Sequence, residues 1–215
     1  MSFHWTARQH PGVHRIAGQT LGLIGFGASA QAVAQRAAPF GLRRLAWVRD
    51  PAKYAAVANQ LDVQLVPLDQ LLTASDFVSI HLPLCNETRH LLSAERLARL
   101  KPTAVLINTA RGAIVDEAAL VELLQQRKIA GAALDVFEEI DVFALPGTPS
   151  AHPLVGLDNV ILTPHCAGSS VESSRDFKTR GTRNAADVLL GIRPQFVVNP
   201  DVIPRCPLRA GPLDD

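Results

Sequence analysis

The chain has 215 residues, enough for one α/β domain or for one domain with a fragment of another. Apolar residues make up 47 % and charged residues 19 %, so a sizeable core is available and extended disorder is not expected. A net charge of +1 without a basic cluster argues against nucleic acid as a partner, and no apolar run is long enough to predict a membrane span. The three cysteines are far apart and indicate neither a disulfide framework nor a zinc site, and no signal-peptide core is present, so the expected location is the reducing cytoplasm.

The first periodic segment of the chain runs from Thr20 to Asp50. Leu21–Ile24 is predicted as an apolar strand, and a glycine turn, a helix with small residues on one face and a second strand follow it. The turn reads Gly25-Phe26-Gly27-Ala28-Ser29-Ala30, which is a G-x-G-x-x-G/A pattern with alanine in the last place. This context favours a dinucleotide-binding turn over a glycine turn with a purely structural role.

Each small residue of the turn has a physical role in that reading. Gly25 permits the tight turn, Gly27 lets a pyrophosphate approach the backbone, and Ala30 keeps the helix close to the sheet. The free N–H groups at the helix N-terminus would bind the phosphates. Asp50 ends the second strand, at the distance expected for the acid that binds an adenosine ribose hydroxyl.

Beyond Asp50, predicted helices and strands alternate to the end of the periodic region. In chain order they are helix Pro51–Gln60, strand Val63–Val66, helix Leu68–Thr73, strand Phe77–Ile80, a helix capped by Ser93, strand Ala104–Ile107, a helix capped by Asp116, strand Ile129–Leu134, strand Val160–Leu162 and helix Val171–Leu190. Strands that are apolar on both faces and alternate with helices predict an α/β fold, a doubly wound parallel sheet of the Rossmann type. Glu138–Asp158 is predicted as a long loop with a functional role.

Ligands of doubly wound sheets bind beyond the carboxyl ends of the strands, where this sequence places one arginine and two histidines. Arg111 is the candidate for binding a substrate anion, because a guanidinium can hold a carboxylate with two parallel hydrogen bonds. His165 is the candidate acid/base, because its ordinary pKa is closest to working pH. The alternatives are an ordinary salt-bridged arginine and a histidine bonded to the backbone.

Three other reactive side chains receive structural interpretations. His81 is expected to be structural or near a cofactor, and His152 is expected on the surface of the long loop. Cys166 shows no sign of being a nucleophile and is expected to be a small packing residue.

The motifs LGLIGFG, HLPLCNETRHLL, INTARGAIVDEAAL, GAALDVFEE and ILTPHCAGSS occur in this order, and the chain resembles the D-isomer-specific 2-hydroxyacid dehydrogenase family over about residues 18–200. That family includes phosphoglycerate, glycerate, lactate and formate dehydrogenases, glyoxylate/hydroxypyruvate reductases and a corepressor branch. The resemblance implies NAD as cofactor, a small 2-hydroxy or 2-keto acid as substrate, and a homodimer.

The resemblance also implies roles for individual residues. Arg111 would bind the substrate carboxylate, and His165 would donate or accept the proton. The cofactor-binding positions implied by the motifs are Gly25, Gly27, Ala28, Ser29, Asp50, Pro83, Thr88, Thr109, Ala110, Asp135, Ala167 and Gly168. In the reducing direction the nicotinamide would deliver hydride to the keto carbon while His165 protonates the oxygen.

Three departures from the family pattern affect these expectations. The family pairs its histidine with the glutamate of D-V-F-x-x-E-P, and Ile140 stands at that position, so Glu139 or Asp141 would have to take over the catalytic carboxylate role. Arg49 beside Asp50 makes NADP possible as well as NAD. Family members also place a substrate-binding segment before the nucleotide domain, and this chain begins just ahead of that domain.

The expected organisation is therefore an N-terminal arm (1–17), a dinucleotide-binding domain (18–168) and a C-terminal helix and tail (169–215) returning to an absent substrate domain. Nucleotide binding with weak or no turnover is expected of such a chain. The competing functional interpretations are a non-catalytic NAD(H) sensor or corepressor-like module and a Rossmann methyltransferase or adenosylhomocysteine-type enzyme.

Overall fold

The computed structural model describes residues 14–138, 152–199 and 208–209, and these fall into two compact units divided between His165 and Cys166. In the first unit the strands are β1 (Thr20–Ile24), β2 (Arg43–Trp47), β3 (Gln64–Leu65), β4 (Phe77–Ile80), β5 (Val105–Asn108), β6 (Gly131–Leu134) and β7 (Val160–Leu162). Its helices are α1 (Ala28–Ala37), α2 (Pro51–Gln60), α3 (Leu68–Ala74), α4 (Ala94–Leu97) and α5 (Glu117–Gln125). The second unit contains α6 (Val171–Leu189).

The described strands form one parallel sheet in the order β3-β2-β1-β4-β5-β6-β7. The order in which strands are added to the sheet reverses between β1 and β4, which are parallel neighbours with Ile24 in register with Ile80. This reversal opens a crevice at the carboxyl ends of the two strands, because their helices leave toward opposite faces. The predicted doubly wound fold is confirmed.

Alternating side chains of the central strands separate two apolar cores. Leu23 and Ala46 belong to one core, whereas their neighbours Ile24 and Leu45 belong to the other. Since successive side chains of a strand point to opposite faces, the two cores lie on the two faces of the sheet. All four side chains are 0–1 % exposed, which explains why these strands are apolar at every position.

Most predicted boundaries agree with the structure to within a residue or two. β4, α2 and β7 span the predicted residues, whereas the strand predicted over Val63–Val66 shortens to Gln64–Leu65. The shortened strand lies at the sheet edge and pairs with β2 alone, so fewer hydrogen bonds define its ends. None of the described helices is long and apolar enough to cross a membrane.

The amino ends of the central strands are joined by one carboxylate. Asp76, just before β4, accepts hydrogen bonds from the Thr20 N–H at 2.8 Å and from Lys101 Nζ at 2.9 Å. Burial alone would raise the pKa of Asp76, but these two hydrogen bonds and the charges of Lys101 and Arg43 outweigh it and hold the pKa below its ordinary value. The catalytic candidates Arg111 and His165 follow the carboxyl ends of their strands, at the opposite end of the sheet from Asp76.

Candidate functional site

The glycine turn joins β1 to α1 in the conformation that the fingerprint predicts. Gly25 has φ +93°, and a Cβ placed on it would lie 2.6 Å from the His81 carbonyl oxygen, so a side chain is excluded. Gly27 is the N-cap of α1 and leaves open space, since an added Cβ would meet no heavy atom within 4 Å. Ala30 is fully buried against the sheet, and Ala28 and Ser29 are exposed at the start of the helix.

A cleft of about 400 Å³ opens beside this turn. It lies at the carboxyl ends of β4 and β5 and along the first turns of α1, which is the crevice that doubly wound sheets use for ligands. The lining residues are Ser29, Val33, Ile80, His81, Leu82, Pro83, Thr109 and Ala110. Four of the predicted cofactor residues therefore meet in one cleft.

The His81 imidazole is held between two serine hydroxyls. Nδ1 lies 3.2 Å from Ser29 Oγ on α1, and Nε2 lies 3.0 Å from Ser79 Oγ on β4. Burial lowers the pKa of His81 below its ordinary value, because desolvation penalises the charged ring. Ser79 was not predicted as a site residue, although side chains two residues apart in an extended chain lie on the same face, as Ser79 and His81 do here.

The chain after His81 forms a turn that is organised by Thr88. The Thr88 hydroxyl donates to the Pro83 carbonyl oxygen at 2.7 Å and accepts from the Cys85 N–H at 2.8 Å. Thr88 therefore supports the turn that carries Pro83 into the cleft.

Asp50 and Arg49 are both exposed after β2 and do not line the cleft. The Asp50 carboxylate is the N-cap of α2 and accepts from the Lys53 N–H at 3.4 Å. A hydrogen bond with the Cys85 side chain and, to a smaller extent, the charge of Arg49 hold the pKa of Glu87 below its ordinary value.

Arg111 leaves β5 on a turn that Asn108 holds in place. The buried Asn108 side chain donates to the Arg111 carbonyl oxygen at 2.9 Å and accepts from the Ala110 N–H at 3.0 Å. The Arg111 side chain is exposed, and its Nη1 donates to the Ala110 carbonyl oxygen at 2.6 Å. Asn108 was not singled out from the sequence, although a buried asparagine at a strand end is the signal for such a turn.

The next residue, Gly112, is pressed against the segment that follows β6. A Cβ on Gly112 would lie 2.0 Å from the Phe137 carbonyl carbon and 2.4 Å from the Glu138 nitrogen. The arginine turn and the segment Asp135–Glu138 are therefore in backbone contact.

Asp135 and His165 are connected through Thr163. Asp135 is 3 % exposed and accepts from the Thr163 hydroxyl at 2.6 Å, while the Thr163 N–H donates to the Leu134 carbonyl oxygen at 3.0 Å. His165 is partly exposed, has φ +52° and donates its N–H to the Thr163 carbonyl oxygen at 3.1 Å. A left-handed backbone at a non-glycine residue is sparsely populated and clusters at functional sites.

Arg111 and His165 follow β5 and β7, which pair with β6 from either side. Neighbouring strands lie about 4.8 Å apart, so the two strand ends are about 10 Å apart. Long side chains can span that distance to a small acid between them.

The segment that leaves β6 is fixed by two glutamates. Glu138 Oε1 lies 2.6 Å from His90 Nε2, and the Glu138 N–H donates to Glu117 Oε2 at 3.0 Å. Glu117 Oε1 also lies 2.9 Å from Nε2 of His152, whose Nδ1 accepts from the Leu154 N–H at 3.3 Å.

The surface position expected for His152 is wrong: only 12 % of its side chain is exposed, because it packs between Glu117 and Phe137. Glu139, the predicted catalytic carboxylate, lies outside the described residues, as do Ile140 and Asp141.

Two predicted cofactor residues, Ala167 and Gly168, belong to the second unit. Both are exposed ahead of α6, and the Gly168 carbonyl oxygen accepts from the Ser173 hydroxyl at 2.7 Å. Cys166 is also exposed, so its prediction as a packing residue is wrong.

The glycine turn and the cleft fit a dinucleotide. Open space lies over Gly27, the first turn of α1 carries no acidic residue, and its N–H groups are available to an anion. The donor set of the cleft combines hydroxyls of Ser29 and Thr109 with apolar surface from Val33 and Pro83, as a nucleotide site requires.

Comparison with known proteins identifies the family. Residues 1–167 match the family model described as D-isomer specific 2-hydroxyacid dehydrogenase, NAD binding domain. The chain is 40 % identical over 202 residues to glyoxylate reductase of Korarchaeum cryptofilum, covering 93 % of this chain and 58 % of the relative. It is 43 % identical over 160 residues to hydroxypyruvate reductase of Thermotoga maritima, covering 74 % of this chain and 49 % of the relative.

Among solved structures, D-lactate dehydrogenase with NAD+ from Lactobacillus jensenii superposes with a TM-score of 0.76 at 31 % identity, covering 86 % of this chain and 57 % of that chain. The chain thus spans about half the length of the proteins it matches. With the glycine turn, the cleft and the parallel sheet in place, the chain belongs to the D-isomer-specific 2-hydroxyacid dehydrogenase family and contains its NAD-binding domain.

Proposed function

We propose that this chain is the cofactor-binding part of an NAD-dependent oxidoreductase that interconverts a D-2-hydroxy acid and a 2-keto acid. The observation that carries the proposal is that Arg111 and His165 follow β5 and β7, the two strands that flank β6, at the same carboxyl ends of the sheet as the cleft. The glyoxylate and hydroxypyruvate reductases among the relatives motivate those two acids as first substrates.

The side chains divide the chemistry between them. NAD exchanges a hydride with the substrate carbon when it is bound. Arg111 holds the substrate carboxylate through two parallel N–H donors and polarises the neighbouring carbonyl. His165 moves one proton between its imidazole and the substrate oxygen, so one hydride and one proton together convert the keto group to the hydroxyl.

We also propose a cofactor preference, an assembly and a location for the protein. The Asp50 carboxylate would repel a 2′-phosphate, so we infer a preference for NAD over NADP, and the neighbouring Arg49 is the group whose charge would favour NADP. A homodimer follows from the family resemblance, and the exposed thiols of Cys85 and Cys166 suit a reducing cytoplasm. Sedimentation velocity tests the dimer, and NADH and NADPH titrations test the preference.

The predicted domain organisation belongs to the same proposal. Residues 18–168 would form the dinucleotide-binding domain, and residues 169–215 would belong to the part that closes over the substrate. This arrangement is tested with a chimera in which the portion of the Korarchaeum cryptofilum glyoxylate reductase that this chain does not cover is joined to it.

The decisive assay is NADH oxidation with glyoxylate, hydroxypyruvate and a panel of 2-keto acids, on this chain and on the chimera. In the active protein, Arg111→Lys keeps the charge but loses the planar fork and should lower kcat/KM by about 100-fold. His165→Gln should lower kcat by about 1000-fold while leaving NADH affinity within about twofold. Absence of turnover on every acid by both proteins would reject the proposal.

A second candidate function, an NAD(H) sensor or corepressor-like module without catalysis, is favoured by Ile140 at the register position of the family's glutamate. The two functions differ in the response to His165→Gln. A sensor should keep the same residual NADH oxidation in wild type and variant, whereas an enzyme should lose it.

A further inference from the structure

The His81 ring links the glycine turn to the interior of the sheet. Its main-chain N–H donates to the Ile24 carbonyl oxygen at 2.8 Å, and its own carbonyl oxygen occupies the space that a Cβ on Gly25 would need. Both ring nitrogens are engaged, Nδ1 with Ser29 and Nε2 with Ser79. The ring is therefore fixed at the point where the cofactor phosphates are expected.

The ring nitrogen of His81 that carries the proton determines whether the Ser29 hydroxyl hydrogen is free to bind another acceptor. A neutral imidazole carries one N–H and one acceptor nitrogen. If Nε2 carries the proton and donates to Ser79, then Nδ1 must accept the only hydroxyl hydrogen of Ser29. If Nδ1 carries the proton, it donates to Ser29 Oγ, and the Ser29 hydroxyl hydrogen becomes available to another acceptor.

Ser29 is exposed at the second residue of α1 and lines the cleft, next to the open space over Gly27. A phosphate at this helix N-terminus would be an acceptor for the released hydroxyl hydrogen. A bound phosphate would therefore favour the neutral ring with its proton on Nδ1 over the other neutral tautomer. It would favour the doubly protonated ring still more, because that ring also carries a positive charge.

We propose that His81 is a positioning residue for the cofactor pyrophosphate, acting through Ser29: a proton on Nδ1 switches the Ser29 hydroxyl from donating to His81 to donating to the phosphate, and the doubly protonated ring, which always carries that proton and adds a positive charge, favours the phosphate most. This inference rests on the cofactor site proposed above. It goes beyond that site because it assigns a pH-dependent binding strength to a histidine that takes no part in hydride or proton transfer.

Other charged groups lie on the segments around His81. Arg49 and Asp50 follow β2, Glu87 lies in the turn after His81, and Arg111 follows β5; the ends of β1 and β4 and the first turn of α1 carry none. Burial is the one cause of the lowered pKa of His81, with no contribution from these charges. These charges therefore do not account for the shift of His81, and substitution of His81 itself identifies its titration.

The sign of the pH effect follows from linkage. Because its pKa is lowered by burial, His81 is neutral at pH 7 in the free protein. A phosphate prefers the protonated ring and raises this pKa in the complex. Affinity should therefore increase as the pH falls, by about fivefold to tenfold between about pH 8 and pH 5.5.

The test is calorimetric titration of the 215-residue chain with ADP-ribose, which carries the pyrophosphate, and with adenosine, which lacks it. Wild type should show the pH-dependent Kd for ADP-ribose and a pH-independent Kd for adenosine. Ser29→Ala should flatten the pH dependence and bind ADP-ribose about fivefold more weakly at pH 5.5. His81→Gln keeps a donor and an acceptor without titrating, so it should remain within about twofold of wild type at pH 8 and lose the pH dependence.

Two further measurements separate positioning from a structural role. His90→Gln, which alters an exposed histidine bonded to Glu138, should retain the full pH dependence. Histidine ring NMR should show the pKa of His81 rising when ADP-ribose binds. An unchanged pKa, or a pH dependence that survives in His81→Gln, would overturn the proposal.

The same titrations distinguish failure of the His81 role from failure of the proposed cofactor site. ADP-ribose binding with a pH-independent Kd in wild type would overturn the role of His81 and leave the cofactor site standing. No binding of ADP-ribose at any pH would overturn both.

Discussion

The Gly27→Ala substitution separates cofactor binding from folding. Gly27 has φ −72° and ψ −172°, which alanine adopts without strain, and the added methyl would meet no protein atom within 4 Å. Alanine is a poorer N-cap than glycine by about 0.5–1 kcal/mol, but it reduces the entropy of the unfolded chain by a similar amount. The free energy of unfolding should therefore change by less than about 1 kcal/mol.

Cofactor binding, in contrast to the free energy of unfolding, should be strongly affected by Gly27→Ala. The methyl would stand in the open space over the first turn of α1, where phosphate oxygens must approach the N–H groups to hydrogen-bond distance. Losing two charge-assisted hydrogen bonds costs about 3–6 kcal/mol, so the Kd for NADH should rise by more than about 100-fold.

NADH fluorescence titration and urea unfolding on the same sample measure both quantities. Gly181→Ala, an equally open glycine on α6, is the matched control and should leave NADH affinity unchanged. Wild-type affinity in Gly27→Ala would refute the placement of the pyrophosphate at this turn.

Three other substitutions test the packing. Gly112→Ala should lower the free energy of unfolding by about 3 kcal/mol or more in a urea titration, because its Cβ would meet the Phe137 backbone at 2.0 Å; an unchanged midpoint would contradict the contact. Asp76→Asn should cost about 1–2 kcal/mol at pH 7, because the ion pair with Lys101 is lost. The pKa of Asp76 is lower in the folded protein than in the unfolded chain, where it is about 3.9. The difference in the free energy of unfolding between wild type and Asp76→Asn should therefore be full above about pH 3.9 and vanish as the pH falls through the folded pKa. A difference that does not change with pH would contradict this prediction. Gly181→Ala should stabilise α6 by up to about 1 kcal/mol, because alanine is the better helix former, and should therefore raise the midpoint temperature of thermal unfolding. A lower midpoint temperature would contradict an open helical position.

Element types and most boundaries could be predicted from the sequence because they depend on local patterns. Phe77–Ile80 was predicted as a strand from its mostly apolar residues, and Ser93 and Asp116, which were predicted as N-caps, cap α4 and α5. Strand order then brings the residues at the strand ends to one edge, so Arg111 could be placed at the candidate site from its position alone.

Pairings between distant segments could not be predicted in the same way. Ser29 and His81 are separated by 52 residues, and Glu117 and His152 by 35, so neither contact leaves a local pattern. The surface prediction for His152 failed because it relied on the position of His152 in the predicted loop, whereas the partly buried Glu117 carboxylate and the Phe137 ring decide its position. The prediction that Cys166 is a packing residue failed because the exposure of a small side chain depends on which distant segments pack over it, and Cys166 is exposed.

Glu117 has a further consequence for how the family can diversify. One of its oxygens accepts the Glu138 N–H and the other bonds the His152 ring, so the chain leaves and re-enters the described structure at a single carboxylate. The closure entropy of a connecting segment grows only with the logarithm of its length. Because one side chain holds both Glu138 and His152, a difference in length between these two positions among family members would leave the strand ends in place at a small closure cost.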